Sequence, residues 1–301
     1  MTNISMLFLS LIAGMAMRVT GRLPENTHVG LNAIIIHIAL PALILSQVHG
    51  VHLTTDLLWP VMMPWLLFAL SGAVFCGVSR IAGLSAGTTG ALILSAGLGN
   101  TSFVGLPMIE AFYGKGGLTT GIMIDQLGSY LVLGTFGVAV ACACSNSGTS
   151  GRSIALRIVT FPPLLALVAA LLLSPIEYPP WIAGLLRRMG DTLAPLALIS
   201  VGLQLRLDQF AGHRITLGLG LAFKLVLGPL ALALLYVLVL RRAGETTQIT
   251  LFESAMGPHI GGAIVAIQHG LNPVLVTLMV GIGITLSFLT LPMWWWALSA
   301  I

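Results

Sequence analysis

The sequence predicts an all-α polytopic membrane protein with ten transmembrane helices, arranged as two inverted five-helix repeats. Three observations carry this. Charged residues make up only 7% of the chain and apolar residues 57%, a balance that suits hydrocarbon rather than water. Ten apolar runs, each near the roughly 20 residues a spanning helix needs, follow one another with short connections. The two halves also share short matching strings.

The first run covers about residues 3–19. Its start, MTNISMLFLSLIAGMAM, lacks a basic leader and a small-residue cleavage site, so it reads as a span and not a signal peptide. A polar connector with Arg18, Arg22, Pro24 and Glu25 follows, then runs at about 28–48, 57–79, 87–113 and 117–143. These make a first repeat, residues 1–143. Residues 144–153, CSNSGTSGRS, are the most loop-like stretch and form a short cytoplasmic linker. The second repeat, residues 154–301, has runs at about 154–174, 180–204, 214–240, 246–269 and 273–299. Arg187, Arg188 and Asp191 fall where the seventh run should begin. Either that run spans whole, or a short interfacial segment precedes a span beginning near Gly190.

The halves match at two places. LPALILS (40–46) aligns with APLALIS (194–200), pairing Pro41 with Pro195 and Ser46 with Ser200; TTGALILSAGLGN from Thr88 aligns loosely with TTQITLFESAMGP from Thr246. Because each half has an odd number of spans, the second copy enters from the opposite side, the inverted repeat of many secondary transporters. With the N-terminus outside, the cytoplasmic loops receive Arg18, Arg22, Arg80, Arg152, Arg157, Arg206 and Arg214, against Lys115, Arg187, Arg188, Arg241 and Arg242 opposite. The positive-inside rule then places both termini on the non-cytoplasmic side.

Scattered arginines among apolar runs fit this topology and not nucleic-acid binding. Cys76, Cys142 and Cys144 show no paired metal spacing and read as packing residues. Trp59 and Trp294–Trp296 read as interfacial anchors, Glu110 as interfacial, and His37 as a satisfied core histidine. No nucleotide-binding loop appears, and His259 with Glu253 does not form an HExxH pattern, so neither ATP coupling nor an intramembrane enzyme is indicated. No cofactor is expected.

The fourth run holds GNTSFVGLP (99–107). Gly97, Gly99 and Gly105 loosen a helix there, Pro107 removes a donor, and Asn100, Thr101 and Ser102 supply polar groups. Such a patch is either a binding site or a kink whose hydroxyls satisfy their own carbonyls. The ninth run breaks at the corresponding place, with Gly257, Pro258, His259, Gly261 and Gly262. Paired breaks in the two halves favour a site, and half-helix N-termini meeting there favour an anion. His259 is either a pH-dependent anion contact or a side chain bonded to a free carbonyl. Asp125 either relays protons or meets a cation, or it makes a structural hydrogen bond to Gln126 or a neighbouring helix; Glu253, six residues before His259, is a candidate for the same cavity. Lys224 either pairs with an acid across the bundle or attracts the anion, or it snorkels to the interface.

GNTSFVGLP resembles the fourth-helix signature of the auxin efflux carrier family, within the superfamily of bile acid, arsenite and riboflavin-type transporters. LPALILS, the proline-broken ninth run and LSFLTLPMWWW resemble that family's other patterns. The resemblance implies that the broken fourth and ninth helices cross near the membrane centre, and that helices one, two, six and seven form a supporting panel. It also implies that Asn100 and Thr101 line the site, with Pro107 shaping the break and Pro258 marking the crossover. His259 stands where the family is not expected to hold a histidine, a departure in substrate preference or pH dependence, and together with Ser102 these residues are the candidate substrate contacts. Plant members export the auxin carboxylate, and bacterial members include malonate and malate permeases. The chain lacks the long central loop of the larger plant carriers and is similar to a short bacterial member. The expected function is a secondary transporter of a small organic anion, a mono- or dicarboxylate, in the cytoplasmic (inner) membrane. It would work by alternating access, with proton coupling and a homodimer left open. The other reading is a transporter-like receptor that binds without transport.

Overall fold

The computed structural model describes residues 2–24, 26–48, 58–145, 156, 160, 162–173, 175–204 and 210–301. Among these residues there is no named strand, as lipid requires of a chain without a closed barrel. The first half gives α1 (Thr2–Thr20), α2 (Thr27–Ile34, a π turn Ile35–Ala39, then Leu40–Val48), α3 (Leu58–Ala82) and α4 (Ala86–Gly97). There follow α5 (a π turn Thr101–Gly105, then Leu106–Tyr113) and α6 (Leu118–Cys144). The second half gives α7 (Pro162–Leu172), α8 (Pro180–Asp191), α9 (Leu193–Gln204), α10 (Phe210–Val239), α11 (Glu245–Ser254), α12 (Ile260–Gln268) and α13 (Pro273–Leu298). Among the described residues, five helices are long and apolar enough to cross a membrane: Thr27–Ser46 within α2, then α3, α6, α10 and α13; shorter apolar helices accompany them. The fourth and ninth runs are each divided, into α4/α5 and α11/α12, so neither half reaches spanning length.

The helices group into two bodies. α1 lies along α9, and α2 packs against α7, α8 and α9, forming a panel. α3, α4, α5, α6, α10, α11, α12 and α13 pack among themselves as a bundle, which the panel touches through α9 against α12 and α13 and through α2 and α7 against α6. Without a hydrophobic drive between helices in lipid, close backbone approach supplies the dispersion energy. The α1–α9 contact shows this. A methyl group on Gly14 would run into the Ile199 carbonyl oxygen, and one on Gly202 would lie 2.9 Å from Gly14 Cα. In the bundle, Asn272 caps α13 by accepting from Leu275 N at 3.2 Å and donates to Thr88 Oγ1 at 3.0 Å, tying the starts of α13 and α4 together.

Several expectations change. The seventh run is two helices, α8 and α9, separated at Thr192; α8 docks through Gly190, where a methyl group would lie 2.8 Å from Leu43 Cα. His37 is exposed and not in the core, although its ring bonds the Ala33 carbonyl at 3.0 Å. Cys76 is exposed on α3 and packs into no core. Trp294 anchors inward, donating to Leu225 O at 2.8 Å. Leu225 lies in the π turn Phe223–Leu227 of α10, so the indole fills a carbonyl that a π register leaves available. Glu25, Arg152, Arg157, Arg206 and linker residues 146–153 lie outside the described residues.

Candidate functional site at the meeting of two helix breaks

The two breaks meet. Leu98–Asn100 and Gly257–His259 run antiparallel, with a bridge between Gly99 and Pro258. Asn100 N donates to Gly257 O at 2.8 Å, and His259 N donates to Leu98 O at 3.2 Å. A backbone released from helix at membrane depth must find partners inside protein, and here each break supplies them to the other. Glycine permits the approach: a methyl group on Gly257 would lie 3.0 Å from Ile284 Cα, and Gly283 leaves room for the Pro258 ring.

Asn100 and His259 hold equivalent positions as caps of the outgoing half-helices. Asn100 Oδ1 accepts from Phe103 N at 3.1 Å and Val104 N at 3.3 Å at the start of α5. His259 Nδ1 accepts from Gly262 N at 3.0 Å at the start of α12. Each satisfies amides that the first turn leaves orphaned. The expected carbonyl bond of His259 is therefore corrected. The free groups at a helix N-terminus are N–H, and only a ring with its Nδ1 lone pair intact caps them.

Pro107 does not form the break. The chain leaves helix at Leu98, and Pro107 sits at the start of the regular segment of α5, after the π turn, where a missing N–H costs little. Thr101 faces away from the crossing strand. Its Oγ1 donates to Asp125 Oδ1 at 2.5 Å and shares a 3.0 Å bond with Ser129 Oγ, while Gln126 Nε2 donates to Asp125 Oδ2 at 2.9 Å. The structural hydrogen bonds expected of Asp125 are both present, to Gln126 and, through Thr101, to a neighbouring helix. Ser102 Oγ lies within electrostatic reach of Asp125 and Tyr130 yet meets no hydrogen-bond geometry with either.

Lys224 does not snorkel. It is fully buried, and its Nζ donates to Ser254 O at 2.9 Å, at the C-terminal end of α11 where helix carbonyls lack partners and a cation is favoured. A methyl group on Gly99 would lie 3.2 Å from this Nζ, so the ammonium stands beside the bridge. Glu253 is also fully buried, and both its carboxyl oxygens lack hydrogen-bond partners.

Sequence reasoning missed Ser129 and Tyr130. Ser129 follows Asp125 by one turn, a signal for a shared face. Tyr130 is buried, its ring meets the His259 ring edge-on at 5.9 Å, and its hydroxyl has no partner. Asn100 Nδ2 is likewise buried and unpartnered. The crossing thus gathers unsatisfied donors, two capped half-helix starts and one ammonium. A separate polar cavity of about 720 Å³ lies in the panel, lined by Leu43, Ser46, Glu177, Tyr178, Arg187 and Asp191, and shares no residue with the crossing.

Apolar helices of spanning length with two breaks meeting in their midst fit a multi-pass membrane transporter. The chain belongs to the membrane transport protein family, that of the auxin efflux carriers, whose pattern matches residues 1–141 and 149–295. It is 31% identical over 300 residues to an uncharacterized transporter of Methanothermobacter thermautotrophicus, covering 97% of this chain and 96% of that protein. It is 25% identical over 305 residues to an uncharacterized transporter of Methanocaldococcus jannaschii, covering 95% of each.

Proposed function

We propose that the protein is a secondary transporter that carries a small organic anion, a mono- or dicarboxylate, across the cytoplasmic membrane by alternating access. The observation that carries this is the crossing itself. Two half-helix N-termini converge there with Asn100 Nδ2, the Tyr130 hydroxyl and the Ser102 hydroxyl unsatisfied, and with the Lys224 ammonium beside them. The Asp125 carboxylate is already met by Thr101 and Gln126, so it does not compete for these donors.

Inverted symmetry is part of the reading, and the pairing of helices supports it. Exchanging the halves turns three of the main contacts into other observed ones: α1 with α9 becomes α7 with α2, α3 with α4 becomes α10 with α11, and α3 with α6 becomes α10 with α13. The panel is the fixed body and the bundle carries the site. Purified protein in liposomes should show saturable counterflow of labelled malonate or malate against unlabelled mono- and dicarboxylates. Saturable binding of these acids without flux would make the protein a receptor instead.

A further inference from the structure

We propose that Glu253 is a proton-binding site that makes transport an anion–proton symport; this rests on the anion-transport reading above. Glu253 sits in the last turn of α11, directly before the break. Its carboxyl group lies in a cradle of two glycines. A methyl group on Gly105 of α5 would stand 2.6 Å from both carboxyl oxygens, and one on Gly121 of α6 would stand 3.4 Å from Oε1. Side chains at these positions would fill the space that the carboxyl group occupies.

No hydrogen bond in the cradle stabilises a negative charge, and Lys224 acts on it only through space. Both oxygens are buried and make no hydrogen bond, and the nearest cation, Lys224, spends its bond on the Ser254 carbonyl. An ionised carboxylate without partners in such an interior loses several kcal/mol of hydration, whereas the neutral acid loses far less. Asp125 is the contrast: both its oxygens accept hydrogen bonds. The two buried acids thus differ in their surroundings, one meeting a donor at each oxygen and the other none, and carboxyl groups in differing surroundings take different roles.

The groups facing Glu253 are few. Asp125 of α6 and Lys224 of α10 are within electrostatic reach of it, and Lys224 is within reach of His259 across the break. From α5, Tyr113 packs against the neighbouring Phe252 and Glu110 is exposed. α3 also packs on α11 but holds Arg80 at its exposed end, and α13 brings no titratable side chain. A substrate anion at the crossing and a proton on Glu253 therefore favour each other. The anion repels a second negative charge beside it, and removing the proton weakens the anion by the same factor. The cradle lies within the bundle, so proton and anion travel together.

The test begins without substrate. Purified wild-type protein in nanodiscs at neutral pH should show the infrared carbonyl stretch of a protonated carboxylic acid, and Glu253→Gln should lack it. Should Glu253→Gln fail to fold, carboxyl-¹³C-glutamate labelling of the wild type replaces it. The band should shift, because Asp125 is unlabelled and the other described glutamates, Glu110, Glu177 and Glu245, are exposed. No such band, or one the label leaves in place, overturns the proposal.

In liposomes with the membrane potential clamped at zero, an inward proton gradient of one pH unit should drive labelled malonate to about tenfold accumulation. Glu253→Gln should abolish that accumulation. Accumulation driven by sodium and indifferent to pH would overturn the proton in favour of a bound cation. An infrared band on Glu253 with no counterflow of any carboxylate would instead sink the anion-transport reading and leave the protonated acid standing.

Discussion

Asn100 uses the two ends of one amide for two tasks: its oxygen caps α5, and its Nδ2 is left without a partner at the crossing. Substitutions separate them. Asn100→Ala removes both, so uptake of labelled malonate should fall at least tenfold and thermal stability should drop by about 0.5–2 kcal/mol. Asn100→Asp keeps the acceptor and the cap, so stability should stay near wild type while uptake is lost to an added negative charge. Equal uptake by Asn100→Asp and wild type would remove Asn100 from the site. His259 makes the matching case on the other side of the bridge. Its cap requires an acceptor, which Asn also supplies, so His259→Asn should unfold near the wild-type temperature. His259→Ala should be destabilised by about 1 kcal/mol. The same thermal loss in both variants would mean that the ring, packed edge-on against Tyr130, matters more than its lone pair.

At the scale of elements, glycine decides how closely helices meet. The α1–α9 crossing brings Gly14 and Gly202 backbone to backbone, so Gly202→Leu should force the helices apart at a cost of about 1–3 kcal/mol or more. The expected readout is a lowered melting temperature and a broadened gel-filtration peak. Gly30→Leu is the control, since Gly30 is exposed in α2 with no atom within 4 Å of an added methyl group. Much of this architecture was legible in the sequence. Glycine, proline and short polar side chains inside apolar runs announced both breaks, because nothing else disturbs a membrane helix so locally. The position of the first break was misjudged, since Pro107 is the stronger breaker by propensity, yet it can begin a regular helical segment as easily as end one. Of the readings for Lys224, snorkelling fails for a different reason. Its partner is the backbone carbonyl of Ser254, thirty residues away, and a carbonyl carries no signature in the sequence. The Thr101–Asp125–Ser129 cluster could be foreseen only in part, as spacing puts Asp125 and Ser129 on one face but cannot say that α5 supplies their neighbour.

For the whole molecule, the proposed inverted repeat requires opposite insertion of the two halves. A two-fold relation in the membrane plane leaves an even number of spans, hence both termini on one side. Which side is a question of arginine. Arg18 is half-buried and Arg22 and Arg80 are exposed at or beyond the ends of α1 and α3 nearest the expected cytoplasmic face, and Arg214 lies in the first turns of α10. Against them stand Arg187 and Arg188 on α8, and Arg241 and Arg242 after α10. Arg242 stacks over the Trp59 ring at 4.6 Å, a contact that holds a guanidinium at an interface and explains how two arginines are kept on the opposing side. The prediction is that alkaline phosphatase fused after Ile301 is active and a green fluorescent protein fused there is dark. Reversal of both signals would turn the molecule over, exchanging the faces from which proton and anion enter while leaving the crossing, its caps and the Glu253 cradle as they are.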